Sequence, residues 1–169
     1  MDILKEQVNK QAVLNVLLIF LVAVSSASML HAQRNHIVVS KRNFTLCIIN
    51  SKSDTVAIFP CGVGKRIGNK KKRGDNKTPE GVFSIISIEN STKWTHDFND
   101  GKGERKGAYG PWFIRLKIPK FRSIGIHGTC FPKSIGTRCS EGCIRLRNED
   151  LVKVKKYVYV GMKCIIEND

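Results

Sequence analysis

Cys143 stands in Ser140-Glu141-Gly142-Cys143-Ile144-Arg145-Leu146, sixteen residues after His127 of Ile126-His127-Gly128-Thr129. The set supplies a sulfur nucleophile, an imidazole base and a cation. A free thiol with a pKa of ~8.5 is only a few per cent thiolate at neutral pH, so an imidazole within reach raises its reactivity substantially. Gly142 leaves the backbone beside the sulfur unobstructed, so amides there can turn toward a developing oxyanion, where one donor contributes about 3 kcal/mol. Arg145 carries the planar fork that suits a carboxylate.

The elements that must position these groups read as mostly β. Ile37-Val38-Val39, Phe44 to Ile49 and Val56 to Phe59 are strand-like runs, the last two separated by the turn cluster Asn50 to Asp54. Gly62 to Lys77 reads as a loop, Val82 to Ile88 as a strand, and Glu89 to Gly110 as a long polar excursion or flap. Strands follow near Trp112 to Leu116, Ser123 to His127 and Lys163 to Ile166. One short helix is expected from Asn148 to Tyr157, with Asn148 as N-cap, Glu149 and Asp150 at its positive end, and Leu151, Val154, Tyr157 and Val158 as its apolar stripe.

His127-Gly128-Thr129, Ser134-Ile135-Gly136 and Ser140-x-Gly142-Cys143-Ile144-Arg145-Leu146 resemble the signature of the L,D-transpeptidase catalytic domain, the YkuD domain. Thr78-Pro79-Glu80-Gly81-Val82-Phe83, Tyr109-Gly110-Pro111-Trp112-Phe113-Ile114-Arg115 and the opening Val39-Ser40-Lys41 extend the resemblance over residues 36–167. Ordered blocks at fitting spacings are more specific than one short motif. The resemblance implies a β-sandwich-like fold with few helices and a catalytic cysteine at a sheet edge. It implies peptidoglycan stem peptides as substrate. Cys143, activated by His127, would release D-alanine and pass the thioester to an acceptor amine; water as acceptor would make the chain an L,D-carboxypeptidase.

The same resemblance gives Gly128 the role of orienting His127 through its backbone carbonyl, and Gly142 a place in the oxyanion hole. It puts Ser140, Tyr109 and Trp112 with Arg145 on the substrate side. No cofactor or metal is implied. Many members of the family carry histidine where this chain has Glu141, so a role requiring imidazole there does not transfer.

At 169 residues the chain has room for one ordinary domain. Its formal charge is +15, none of it from residues 1–32, where Asp2 and Glu6 offset Lys5 and Lys10. Such a charge attracts polyanions. The densest run is Lys65, Arg66, Lys70, Lys71, Lys72, Arg73 and Lys77, without an interleaved aromatic residue, which argues against a stacking platform for nucleic acid. Either a solvated loop or an anion contact accounts for it. The apolar stretch Ala12 to Leu30 reads as an export signal, with an uncleaved membrane anchor as the alternative. The expected destination is the periplasm or cell envelope.

Export makes disulfides permissible, and a Cys130–Cys139 bridge is one expectation. Cys47, Cys61 and Cys164 sit in strand-like surroundings as small buried hydrophobes. Two readings of another class remain: zinc held by His127, Cys130, Cys139 and Cys143, or a basic polyanion-binding protein without catalysis.

Overall fold

The computed structural model describes residues 35–169, so the signal or anchor expected at 1–32 lies outside the described residues. The strands are β1 (His36–Ser40), β2 (Thr45–Ile49), β3 (Thr55–Pro60), β4 (Val63–Gly64), β5 (Gly81–Asn90), β6 (Thr95–Asp97), β7 (Glu104–Lys106), β8 (Trp112–Leu116), β9 (Gly125–His127), β10 (Arg138–Ser140), β11 (Ile144–Arg145) and β12 (Lys163–Ile166), with the helix α1 (Asn148–Lys155) before β12. Eight strands form one mixed sheet in the order β11-β9-β8-β5-β12-β1-β2-β3. β10 pairs with β4 and β6 with β7 in two small ladders.

Period-two burial assigns the faces. Ile37 and Val39 on β1, Leu46 and Ile48 on β2, Ile85 on β5, Ile114 and Leu116 on β8, Ile126 on β9, Ile144 on β11 and Cys164 and Ile166 on β12 are all buried in one core. β5 lets one sheet wrap that core. Its residues Gly81 to Ser84 pair with β12, its residues Ile85 to Asn90 pair with β8, and the register shifts between Ile85 and Ser87. A bulge bends a strand, and this one falls where the strand changes partner.

Leu151 and Val154 of α1 join the same core, with Glu149 and Asp150 in the first turn. The helix is shorter than expected, ending at Lys155, and its capping residue is Arg147. Asn148 is not the cap, because its Oδ1 accepts the Thr129 N–H at 2.9 Å. The flap expected at 89–110 contains the β6–β7 hairpin, which the polar composition concealed. All six cysteines are free thiols, so the Cys130–Cys139 bridge is not formed. Cys139 Sγ instead faces β4's approach: a Cβ on Gly62 would meet it at 2.5 Å. Burial pushes the Cys61 and Cys164 thiols up to about 12.

Lys41 is fully buried, and its Nζ reaches Glu80, Asp169 Oδ2 at 2.8 Å and Gly68 O at 3.3 Å. This cluster ties the first strand to the start of the basic loop. Removing one partner of a buried pair strands the other charges, at a cost of about 3–5 kcal/mol. Lys41→Met is therefore expected to lower the urea unfolding midpoint with an unchanged slope; a midpoint like that of the wild type would contradict the assignment.

Candidate active site

The site is built on the face of the sheet opposite the core. His127 is paired across strands with Phe113 of β8 and Arg145 of β11, so all three share one face, while Ile114, Ile126 and Ile144 between them point inward. The Phe113 ring stacks on the imidazole at 5.4 Å and 10° between planes. Arg115 lies over Phe113 at 4.8 Å and is held by Glu89 through Nε at 2.8 Å and Nη2 at 2.9 Å. That paired contact, against a smaller cost of burial, pulls the Glu89 carboxyl down to about 2.

His127 Nδ1 and the Gly128 carbonyl oxygen are 2.7 Å apart, which places the proton on Nδ1 and leaves Nε2 as the free acceptor. Burial, reinforced by the positive charge of Arg145, holds the imidazole down to about 3 despite that hydrogen bond. Gly128 sits where a side chain cannot: a Cβ there would lie 2.2 Å from Asn148 Oδ1 and 2.8 Å from Gly110 Cα. The same Asn148 carboxamide that holds Thr129 thus packs both glycines together.

Cys143 follows a turn closed by Ser140, whose hydroxyl donates to the Cys143 carbonyl at 2.6 Å and accepts the Gly142 N–H at 3.0 Å. The Gly142 amide is thus committed to Ser140, and Ser140, fully buried, supports the turn. Gly142 also contributes conformation: its φ is +138° and a Cβ would meet Lys77 O at 2.8 Å. The Cys143 amide makes no hydrogen bond among the described residues and is the remaining donor at the sulfur. The thiol donates to Ser123 O at 3.5 Å, and no hydrogen bond joins it to His127 in this structure. Burial raises the thiol pKa, against the pull of the Gly125 amide, Arg145 and Lys70.

Cys143, His127 and Arg145 line one cavity of about 910 Å³ together with Tyr109, His96 and Lys70. Arg145 is 6% exposed, its Nη1 donates to Cys139 O at 3.3 Å, and its buried Nε has no partner among the described residues. Phe98 of the flap covers the guanidinium at 5.2 Å. Tyr109 packs on His127 at 4.9 Å. Trp112, by contrast, is not in the cavity: one residue before Phe113, it faces the core side, where Lys155 of α1 lies 4.2 Å from its ring centroid. Among the described residues no group of three or more His, Cys, Asp or Glu is gathered for a metal, so the zinc set does not assemble.

His96 is a site residue that sequence spacing did not reveal. It lies on β6, its Nδ1 is 3.2 Å from Tyr109 Oη, and its Nε2 is 3.6 Å from Glu141 Oε2. The flap thus brings an imidazole beside Glu141. Only the pairing of a flap with a distant turn places it there, and no local pattern carries that information. A second cavity of about 960 Å³, along Val82, Phe83, Ile86 and Lys117, contains none of the candidate catalytic groups.

Residues 34–166 match the L,D-transpeptidase catalytic domain family, YkuD, and the chain belongs to that family. YqjB of Bacillus subtilis strain 168 is 28% identical over 136 residues, covering 79% of this chain and 72% of that protein. YkuD of the same strain is 32% identical over 133 residues, covering 78% of this chain and 65% of its own length. Among solved structures, the helical cell shape determining protein Pgp2 from Campylobacter jejuni shares the fold with a TM-score of 0.62 at 20% identity, over 81% of this chain and 49% of that one. The chain therefore spans just under two thirds of YkuD and about half of Pgp2.

Proposed function

We propose that the protein is an exported peptidoglycan L,D-transpeptidase of the cell envelope that uses Cys143 as its nucleophile. The observation that carries this reading is the 2.7 Å contact from His127 Nδ1 to the Gly128 carbonyl, within a cavity that also holds Cys143 and Arg145. It leaves Nε2 as the unprotonated nitrogen, able to accept a proton. Rotation of the Cys143 side chain from Ser123 O toward the imidazole completes the pair, in keeping with catalytic hydrogen bonds that tighten only when substrate is bound.

His127 Nε2 takes the thiol proton as sulfur attacks the carbonyl joining the L-centred third stem residue to D-alanine. The Cys143 N–H faces the resulting oxyanion. The carbon–nitrogen bond then breaks, the imidazolium gives its proton to the departing amine, and D-alanine leaves a thioester on Cys143. An acceptor amine attacks the thioester, loses a proton to His127, and departs with the acyl group while sulfur leaves as thiolate and is reprotonated. Arg145 holds a stem carboxylate, and Tyr109 forms a wall of the groove. Water in the second step yields a shortened stem instead of a cross-link.

Mass spectrometry after incubation with a carbapenem tests the chemistry. The same thiolate attacks the strained lactam carbonyl, the ring carbon–nitrogen bond breaks and Cys143 is acylated, so wild type gains the mass of the opened drug and Cys143→Ser does not. Folded wild type that gains no mass would overturn the assignment of Cys143.

A further inference from the structure

The basic run is folded around a single carboxylate. Asp75 accepts from Lys70 Nζ at 2.8 Å and from the amides of Lys71 at 2.7 Å, Lys72 at 3.0 Å and Lys77 at 3.2 Å. The side chains of Lys70 and Asp75 are only 5% and 7% exposed. Burial opposes ionisation of Asp75, but these donors outweigh it and hold the carboxyl well below the usual range. A loop serving solubility has no use for a lysine immobilised and desolvated in this way, since both carry a free-energy cost.

The ammonium is aimed inward. It lies 5.2 Å from the Phe121 ring centroid and 3.4 Å from where a Cβ on Gly142 would stand. Adding one carbon–carbon bond puts it within about 5 Å of the Gly142 Cα. Lys70 and Cys143 line the same cavity, and Asp75 does not, so the positive end of the pair faces the nucleophile's turn.

We propose that Lys70 is a fixed cation that stabilises the thiolate of Cys143, with Asp75 as its positioning partner. The proposal rests on the reading of Cys143 as the nucleophile. It explains why the site holds a second buried cation beside Arg145. A substrate carboxylate on Arg145 neutralises that guanidinium when the thiolate is needed, whereas the Lys70–Asp75 pair is the same with or without substrate and keeps its positive end toward the cavity. Burial disfavours the thiolate, so a nearby cation has a large effect on its population. The charged and titratable groups that share the cavity with the sulfur are Lys70 and Arg73 from the basic loop, Lys120 and Arg122 from the segment before β9, Arg145 from β11, Glu141 from the turn, His127 from β9 and His96 from the flap, with Tyr109 beside them. The five lysines and arginines favour thiolate, and Glu141 opposes it.

The test reads thiol reactivity and not turnover, so a failure here is distinct from a failure of the transpeptidase reading. Cys143 alkylation by iodoacetamide is followed by peptide mass mapping from pH 6 to 10 in wild type, Lys70→Met and Lys70→Arg. Lys70→Met is expected to move the midpoint upward by half a unit to one unit, slowing reaction at pH 7 by about three- to tenfold. Lys70→Arg, which keeps the charge, is expected to stay within about twofold. Profiles of wild type and Lys70→Met that superimpose would overturn the proposal. Asp75 keeps its three amide donors in either variant, and circular dichroism verifies the fold. Wild type gives an independent readout: anionic iodoacetate, relative to iodoacetamide, should react faster with Cys143 than with glutathione. A ratio no greater than that of glutathione would also overturn it.

Discussion

His127→Gln is expected to lower kcat/KM on a stem tetrapeptide by about a thousandfold at neutral pH, the scale of losing a positioned general base. The environment fixes what kind of base it is. With the imidazole held down to about 3 and the thiol raised, the resting pair is neutral, not an imidazolium–thiolate pair. Proton transfer must then accompany attack, and no loss of activity should appear around pH 6.5 from protonation of His127. The wild-type rate is expected to rise with pH as the thiol approaches its own ionisation. A limb near 6.5 that disappears in His127→Gln, or a loss under tenfold, would contradict this account.

The same shift has a sign in stability. An unfolded histidine takes up a proton below 6.5, whereas the folded one resists it down to about 3, so stability falls as pH falls through that window. The Glu89 and Asp169 carboxyls, each held near 2, add their loss lower, from about 4.5 and 3.8 downward. His127→Gln should therefore flatten the decline in Tm between pH 6.5 and 5 while leaving the carboxylate-driven decline at lower pH intact.

Much of this was legible in the chain itself. Continuous apolar runs marked β1 and β2 as strands but not which residues face inward, since Cys47 is half-buried while Leu46 and Ile48 beside it are buried, and the His127-Gly128 and Gly142-Cys143 blocks named the candidate centre of the site. The Trp112 error was one of parity: Ile114 and Leu116 are two and four residues on, so a period of two already put Trp112 with the core and Phe113 with His127. The Ser140–Gly142 contact was not legible, because a motif shows residue types but not which hydrogen bonds the turn uses internally. Lys41 with Asp169, 128 residues apart, and His96 with Glu141 were illegible for another reason. Their partners are set by how the loops fold back on the sheet, and no local spacing records that.

Arg145→Gln is expected to raise KM for a stem tetrapeptide by about a hundredfold with kcat less affected, because a charge-assisted, two-pronged contact to carboxylate contributes about 1.5–3 kcal/mol and is made in ground and transition states alike. Arg145→Lys should rescue little, since an ammonium cannot reproduce the fork. The structural alternative predicts the opposite pattern. A buried guanidinium with an orphaned Nε and no carboxylate partner among the described residues is a cost to the folded state, not a support. Removing it should leave Tm unchanged or raise it. A lowered Tm with an unaltered KM would make Arg145 a structural residue whose contacts to Cys139 O and Phe98 matter more than any ligand. A raised KM without loss of Tm is the outcome expected if this guanidinium, which has no carboxylate partner among the described residues, pairs one from the substrate.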